Sequence, residues 1–290
     1  MTKKRHGMVF KRLISFFLLF LFAFSLSFAG CAHHSKNQPG IQNSANDSVT
    51  HEEEMGRQIH QAILSSFHVY TEPRVVGYVT RVGRSLAKKA DRQDLVYRFT
   101  VLYDDRLYAT SAPGGFVYIT TGFINFLQNE SELAAVLAHE IATIQFHDPR
   151  LSRSRKAAGL LAQGGIIAAP FLGPIGSLAA GGIVLLSALS ERNASSEVRI
   201  KKADRKALHY MIEACEDPQG YVDVLGRLLN PPPGWSPYLY DYTSSHPATL
   251  DRFQDVMKAF DKLPLQGRNF DVHRGRYLEL TKGIREIYQR

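Results

Sequence analysis

The first thirty residues stand apart from whatever the rest of the chain folds into. Lys3, Lys4, Arg5, Lys11 and Arg12 make a positive segment, Leu13–Phe28 runs almost wholly apolar, and Ala29-Gly30-Cys31 closes it. That order reads as a secretory signal, too short and wrongly flanked for a permanent span. A Cys directly after Ala-Gly has the form of a bacterial lipobox, in which Cys31 is diacylated and becomes the mature N-terminus. A cleaved signal with an incidental Cys and an uncleaved anchor are the alternatives. The only other cysteine is Cys215, so with Cys31 lipidated no intramolecular disulfide is possible and the fold must stand on its core alone. Cys215 then reads as a small buried hydrophobe. About 260 residues remain, enough for one large domain.

The net charge of +8 overstates how basic the domain is. Five basic and no acidic residues lie in 1–30, which leaves about +3 for the mature chain. So small a surplus gives no sign of a nucleic-acid partner. The cluster Arg150, Arg153, Arg155 and Lys156 reads as a solvated helix face, with anionic lipid headgroups as the alternative partner.

Residues 31–50, rich in Asn, Ser, Gln and His, read as a flexible tether. The domain then spans 51–290. Thr50 and Glu53 form a capping box that opens a helix to about Phe67. A second amphipathic helix is expected over Arg74–Ala90, with Val75, Val79, Val82 and Leu86 on one face. Tyr97–Val101 alternates as a strand, Pro113-Gly114-Gly115 is a turn, and Phe116–Thr121 is a second strand. Asn129 and Glu132 cap a strongly apolar helix over Ser131–His147. Residues 157–189 carry no charge and exceed eighteen apolar residues. Pro170, Gly173, Pro174 and Gly176 interrupt them, which favours two half-helices in a hairpin, buried or facing a membrane, over a single span. Helices are expected again over Arg192–Cys215, Asp217–Leu229, Pro247–Phe260 and Arg274–Gln289.

The apolar helix carries the chemistry. It reads Leu137-Ala138-His139-Glu140-Ile141-Ala142-Thr143-Ile144. A catalytic zinc helix needs His at i and i+4 on one face, with a Glu beside the first as general base. His139 and Glu140 fit, and Thr143 stands where the second His belongs. A His-Glu pair alone is also compatible with an ordinary helix and a hydrogen-bonded His.

The surrounding motifs are more specific. Pro113-Gly114-Gly115-Phe116-Val117-Tyr118-Ile119-Thr120-Thr121-Gly122, then Glu132-Leu133-Ala134-Ala135-Val136-Leu137-Ala138-His139-Glu140, resembles metallopeptidase family forty-eight. This is the family of the HtpX-like, CAAX-prenyl-endopeptidase-like and BepA-like zinc enzymes. Agreement continues through Ala203-Asp204-Arg205, Asp217-Pro218 and Ser245-His246-Pro247, with Arg252 six residues after the His. The export signal suits the periplasmic, BepA-like lipoprotein branch. The resemblance implies an α+β fold, a mostly helical zincin-like domain with a small β-sheet beside the active-site helix.

It also implies a zinc held by both His of the HExxH helix and by a Glu four residues before Asp204. Here those positions are His139, Thr143 and Ile200. The strand before the turn departs from the family's Asn-Ala-Phe-Ala, reading Tyr108-Ala109-Thr110-Ser111. Thr is a poor zinc ligand and Ile offers no donor atom, whereas a catalytic zinc needs about three protein ligands and an open position. Glu140 holds the general-base position, and His246 resembles a mobile-loop histidine that reaches the metal from the open side in BepA-like proteins. His147 reads as structural. A rebuilt set of His139, His246 and Glu197 is the route to a working site, with Glu197 one turn before Ile200 on a similar face.

The expectation is thus a lipid-anchored protein, on the outer membrane facing the periplasm since Ala32 is not the Asp of inner-membrane retention. It is a degenerate peptidase homologue that binds unfolded or extended polypeptide clients, or an envelope assembly partner. Phe116, Val117, Tyr118 and Ile119 would take an extended peptide by edge-strand addition. The alternative is an active zinc metalloendopeptidase of envelope quality control.

Overall fold

The computed structural model describes residues 42–146, 194–235 and 246–288. The signal segment, Cys31, most of the tether, His147, the basic cluster 150–156, the apolar run 157–189 and Ser245 lie outside them.

Helix α1 (Gln42–Ser66) runs straight through Thr50, so the expected capping box is helix interior and not a start. Two contacts seat α1 on the turn after β3. Glu52 is buried, pairs with Arg92 at 2.8 Å and accepts the Gly114 N–H at 3.2 Å. At Gly56, any Cβ would stand 2.0 Å from the Pro113 carbonyl oxygen, so only glycine permits this approach. Strand β1 (His68–Val69) follows, then α2 (Pro73–Ala87). Pro73 opens α2 and the Glu72 carboxylate accepts the N–H groups of Arg74 and Val75. The expected apolar face is buried, including Val75, Val79, Val82 and Leu86.

The sheet has the order β1-β2-β4-β3, with β2 (Arg98–Tyr103), β3 (Ala109–Ala112) and β4 (Phe116–Thr120). β2 and β4 are parallel, while β3 and β4 form an antiparallel hairpin around Pro113-Gly114-Gly115. Gly114 and Gly115 take φ of 77° and 91°, the left-handed side that glycine enters freely.

This order corrects the expectation for Phe116–Ile119. β4 is paired on both sides, so it has no free backbone edge to offer a peptide. The edge beside the site belongs to β3, whose four residues are buried. On β4, Phe116 and Tyr118 pack with Ile59 and Ile63 of α1, and Val117 and Ile119 face the main core.

Helix α3 (Thr121–Phe126) leads to α4 (Glu130–Phe146). Asn129 Oδ1 accepts the Glu132 N–H at 2.9 Å, and Glu132 Oε2 accepts the Gln128 N–H at 2.8 Å. The cap read from sequence therefore forms, with Arg227 bonded to both Glu132 oxygens. Every residue from Glu130 to Ala142 is buried. α4 is the axis of the molecule, packed on α2, on β3, on α5 (Ala194–Glu213) and on α6 (Gln219–Leu229). Leu133, Leu137 and Ile141 are essentially inaccessible, worth roughly 1.5–3 kcal/mol each.

α5 ends in a Schellman arrangement, with Glu216 N–H on Met211 O at 2.9 Å and Cys215 N–H on Ile212 O at 3.1 Å. Cys215 takes the left-handed position, φ 61°, and is exposed, not buried as its residue type suggests. α7 spans Leu250–Phe260. The single C-terminal helix expected from Arg274 is two, α8 (Arg274–Leu280) and α9 (Lys282–Tyr288). The break is at buried Thr281, whose hydroxyl donates back to the Tyr277 carbonyl at 2.7 Å. The whole is α+β, mostly helical, with the small mixed sheet beside α4.

Candidate metal centre

His139 and Glu140 sit at the middle of α4, where the helix is buried on all sides. Four other elements bring partners to them. Asp204 comes from α5, Tyr221 from the first turn of α6, Arg252 from α7 and Ser111 from β3. His246 arrives on the segment that leads into α7 and is buried.

Asp204 organises the inner half. It accepts from Arg252 Nε and Nη2 at 2.8 Å each and from the Tyr221 hydroxyl at 2.6 Å. Its Oδ1 lies 2.9 Å from His139 Nδ1, and the Tyr221 hydroxyl is also 2.9 Å from that nitrogen. Burial acts to raise the Asp204 carboxyl. The Arg252 charge and the bonds from His139 and Arg252 outweigh it and hold the group well below the ordinary carboxylate range. A fixed carboxylate at Nδ1 places the proton there and leaves Nε2 with its lone pair. His139 Nε2 is buried and has no hydrogen-bond partner.

Glu140 faces the outer half. Its Oε2 accepts from Ser111 Oγ at 3.1 Å, and its Oε1, buried without a hydrogen bond, stands 3.5 Å from His246 Nε2. Burial pushes the Glu140 carboxyl up, opposed by His139, the Ser111 bond and Arg252. The His246 ring meets that of His139 edge-on, centroids 5.1 Å apart. Arg252 Nη1 donates to the His246 carbonyl at 3.2 Å, so one guanidinium holds both Asp204 and the His246 segment.

The other ligand positions contribute nothing to this group. The Thr143 hydroxyl donates to the His139 carbonyl at 2.9 Å, turned along its own helix. Ile200 is half-buried on α5, one turn before Asp204, and has no donor atom. Glu197, the substitute expected from sequence, is exposed and pairs with Lys201 at 3.4 Å. Its place in a rebuilt set is corrected by that position: a side chain drawn to solvent by a neighbouring lysine is not among the converging groups. Among the described residues, the His/Cys/Asp/Glu group able to hold an ion is His139, Glu140 and His246, with ligand atoms all within 4.8 Å of one another. The zinc set that the resemblance implies therefore does not fit, because it retains one ligand of three.

Sequence marks Ser111 only as part of the departing strand Tyr108–Ser111 and does not mark Tyr221, yet both bond within the site. Tyr221 is a lone tyrosine in an amphipathic helix, and Ser111 lies in a strand too short and too small-residued to announce itself.

The chain matches Peptidase family M48 over residues 73–259. It is 25% identical over 239 residues to a putative beta-barrel assembly-enhancing protease of Vibrio cholerae, covering 78% of this chain and 48% of that protein. It is 24% identical over 188 residues to the beta-barrel assembly-enhancing protease of Escherichia coli, covering 63% and 38%. It is 26% identical over 219 residues to the mitochondrial metalloendopeptidase OMA1 of Schizosaccharomyces pombe, covering 72% and 61%. The chain thus spans less than half the length of these bacterial relatives. With the family match covering the helix of His139, the Asp204 helix and the His246 segment, the chain belongs to the metallopeptidase family forty-eight that its motifs resemble.

Proposed function

We propose that this chain is an envelope protein with a metallopeptidase fold that holds polypeptide clients and cuts them weakly or not at all. The observation that carries this is the Thr143 hydroxyl, which donates to the His139 carbonyl and takes the place of a ligand imidazole. With Ile200 opposite on α5, two of the three protein ligands of a family zinc are absent, and a neutral hydroxyl and a hydrocarbon do not replace them. Client binding survives such a loss, because strand addition uses backbone groups and needs no metal. The edge position of β3, one side chain away from Glu140, supports it.

The names of the bacterial relatives suggest β-barrel assembly as the setting. Ala29-Gly30-Cys31 supports a lipid anchor on Cys31, with Ala32 favouring the outer membrane. None of the described helices is long and apolar enough to cross a membrane. Labelled palmitate should enter the protein and be lost on Cys31→Ser.

The test is metal content with casein cleavage by the purified full-length chain. Substoichiometric zinc and no cleavage are expected. Stoichiometric zinc with cleavage that disappears on Glu140→Gln would overturn the proposal in favour of an active zinc endopeptidase.

A further inference from the structure

We infer that the outer face of α5 is a docking surface for anionic phospholipid headgroups, with Lys202, Arg205, Lys206 and His209 as its contacts. This rests on the lipid-anchored reading above.

α5 divides by helical period. Ala203, Asp204, Ala207 and Leu208 face the core and are buried, whereas Arg199, Lys202, Arg205 and His209 are exposed on the opposite side. Lys202, Arg205 and His209, with half-buried Lys206 and with Phe146 at the end of α4, line an open cleft of about 420 Å³. That size lies within the roughly 300–1,000 Å³ that small ligands occupy. Among the described residues, no carboxylate lines the cleft.

Charge is the second support. Arg205 pairs with Asp255 at 2.7 Å and Lys206 with Asp91 at 2.6 Å, both at the surface. Exposed pairs hold weakly, so both cations can share an incoming phosphate. Arg199, Lys202 and His209 have no ion pair among the described residues.

The third support is the kind of anion that fits. None of the cleft's side chains is buried, so no desolvated donors converge on one point to hold a lone phosphate. Flexible cationic stems suit a surface that offers many phosphodiesters at once, each basic side chain adding its own increment. Val198, 50% exposed one turn before Lys202, and half-buried Phe146 add apolar contacts where headgroup meets acyl chain.

Reach is the fourth. Residues 32–41 separate Cys31 from the start of α1 at Gln42. Fully extended, they span at most about 35 Å. A lipid on Cys31 therefore keeps headgroups at high effective concentration around the domain, where weak contacts are enough.

The experiment reconstitutes the full-length chain in vesicles of phosphatidylcholine, alone or with phosphatidylglycerol, and maps lysine acylation by mass spectrometry. Phosphatidylglycerol should slow labelling of Lys202 about fivefold, and added salt should restore the rate. Lys282, exposed on α9, is the internal control and should not change. Lys206 should be protected in the parent and unprotected in Arg199→Glu, Lys202→Glu, with circular dichroism establishing that this variant is folded. Equal Lys202 labelling in the two vesicles would overturn the inference, as would equal protection of Lys282, the mark of unspecific adsorption. Inorganic phosphate protecting Lys202 on neutral vesicles would replace the lipid with a small-anion site. Flotation reads the anchor separately. A chain that floats with both vesicles and labels equally overturns only this inference. One that floats with anionic vesicles alone, with Lys202 protected, overturns only the anchored reading.

Discussion

The Thr143 hydroxyl stands 2.9 Å from the His139 carbonyl, so the side chain one turn along α4 is bonded to the backbone of the residue it should assist. Thr143→His together with Ile200→Glu restores an imidazole on the His139 face and a carboxylate one turn before Asp204. Zinc affinity should rise at least about 100-fold, since two ligands are added to one. Competition against a chromophoric chelator measures it. An unchanged affinity would show that α4 and α5 do not present these positions to one ion.

Asp204 accepts from Arg252, Tyr221 and His139 in a fully buried setting. Arg252→Met leaves that carboxylate buried without its guanidinium. Removing one partner of a buried pair costs about 3–5 kcal/mol. Denaturant unfolding should show a loss of this size, with a smaller loss in the double variant Arg252→Met, Asp204→Leu, where neither charge is left alone.

The fold and half of the site were legible because they rest on periodicity and on motif spacing. The face of Val75, Val79, Val82 and Leu86, the cap at Asn129 and Glu132, and the turn at Gly114-Gly115 are local signals, and all three form. Sheet order is not local. β4 is apolar along its whole length, which suits an interior strand, yet sequence alone does not say which neighbour lies on each side. Glu197 failed for a related reason. Helical spacing places it near Ile200, but Lys201 one turn further on draws it outward to an ion pair. Glu140 as a partner of His246 depends on where the segment before α7 returns, which no spacing rule encodes.

Tyr221 bonds to both His139 and Asp204 in the interior. Tyr221→Phe keeps the ring and removes the hydroxyl, so the loss in stability should be roughly 1–2 kcal/mol. If the hydroxyl acts through His139, a double-mutant cycle of Tyr221→Phe with His139→Ala should give a coupling above about 0.5 kcal/mol. Additive losses would mean that Tyr221 serves only its own packing.

Glu216, between α5 and α6, is buried, and one of its oxygens has no hydrogen-bond partner. Burial first, and then the charge of Glu130, push its carboxyl up to about 7, against the pull of Arg276 and Arg81. Glu130 is itself held by Arg276 and lies 3.7 Å from Arg81, so those cations are largely committed to it. The folded state therefore binds a proton at Glu216 that the unfolded chain releases near pH 4.5. Stability should fall as pH rises from about 4.5 to about 7 and level off above, because the folded form holds more protons across that window. Glu216→Gln removes the titrating group and keeps the shape. The variant should lose this slope and be more stable than the parent at pH 8 by on the order of 2 kcal/mol. Chemical denaturation from pH 4.5 to 8 measures it, and parallel curves for the two proteins would show that Glu216 is solvated and ordinary.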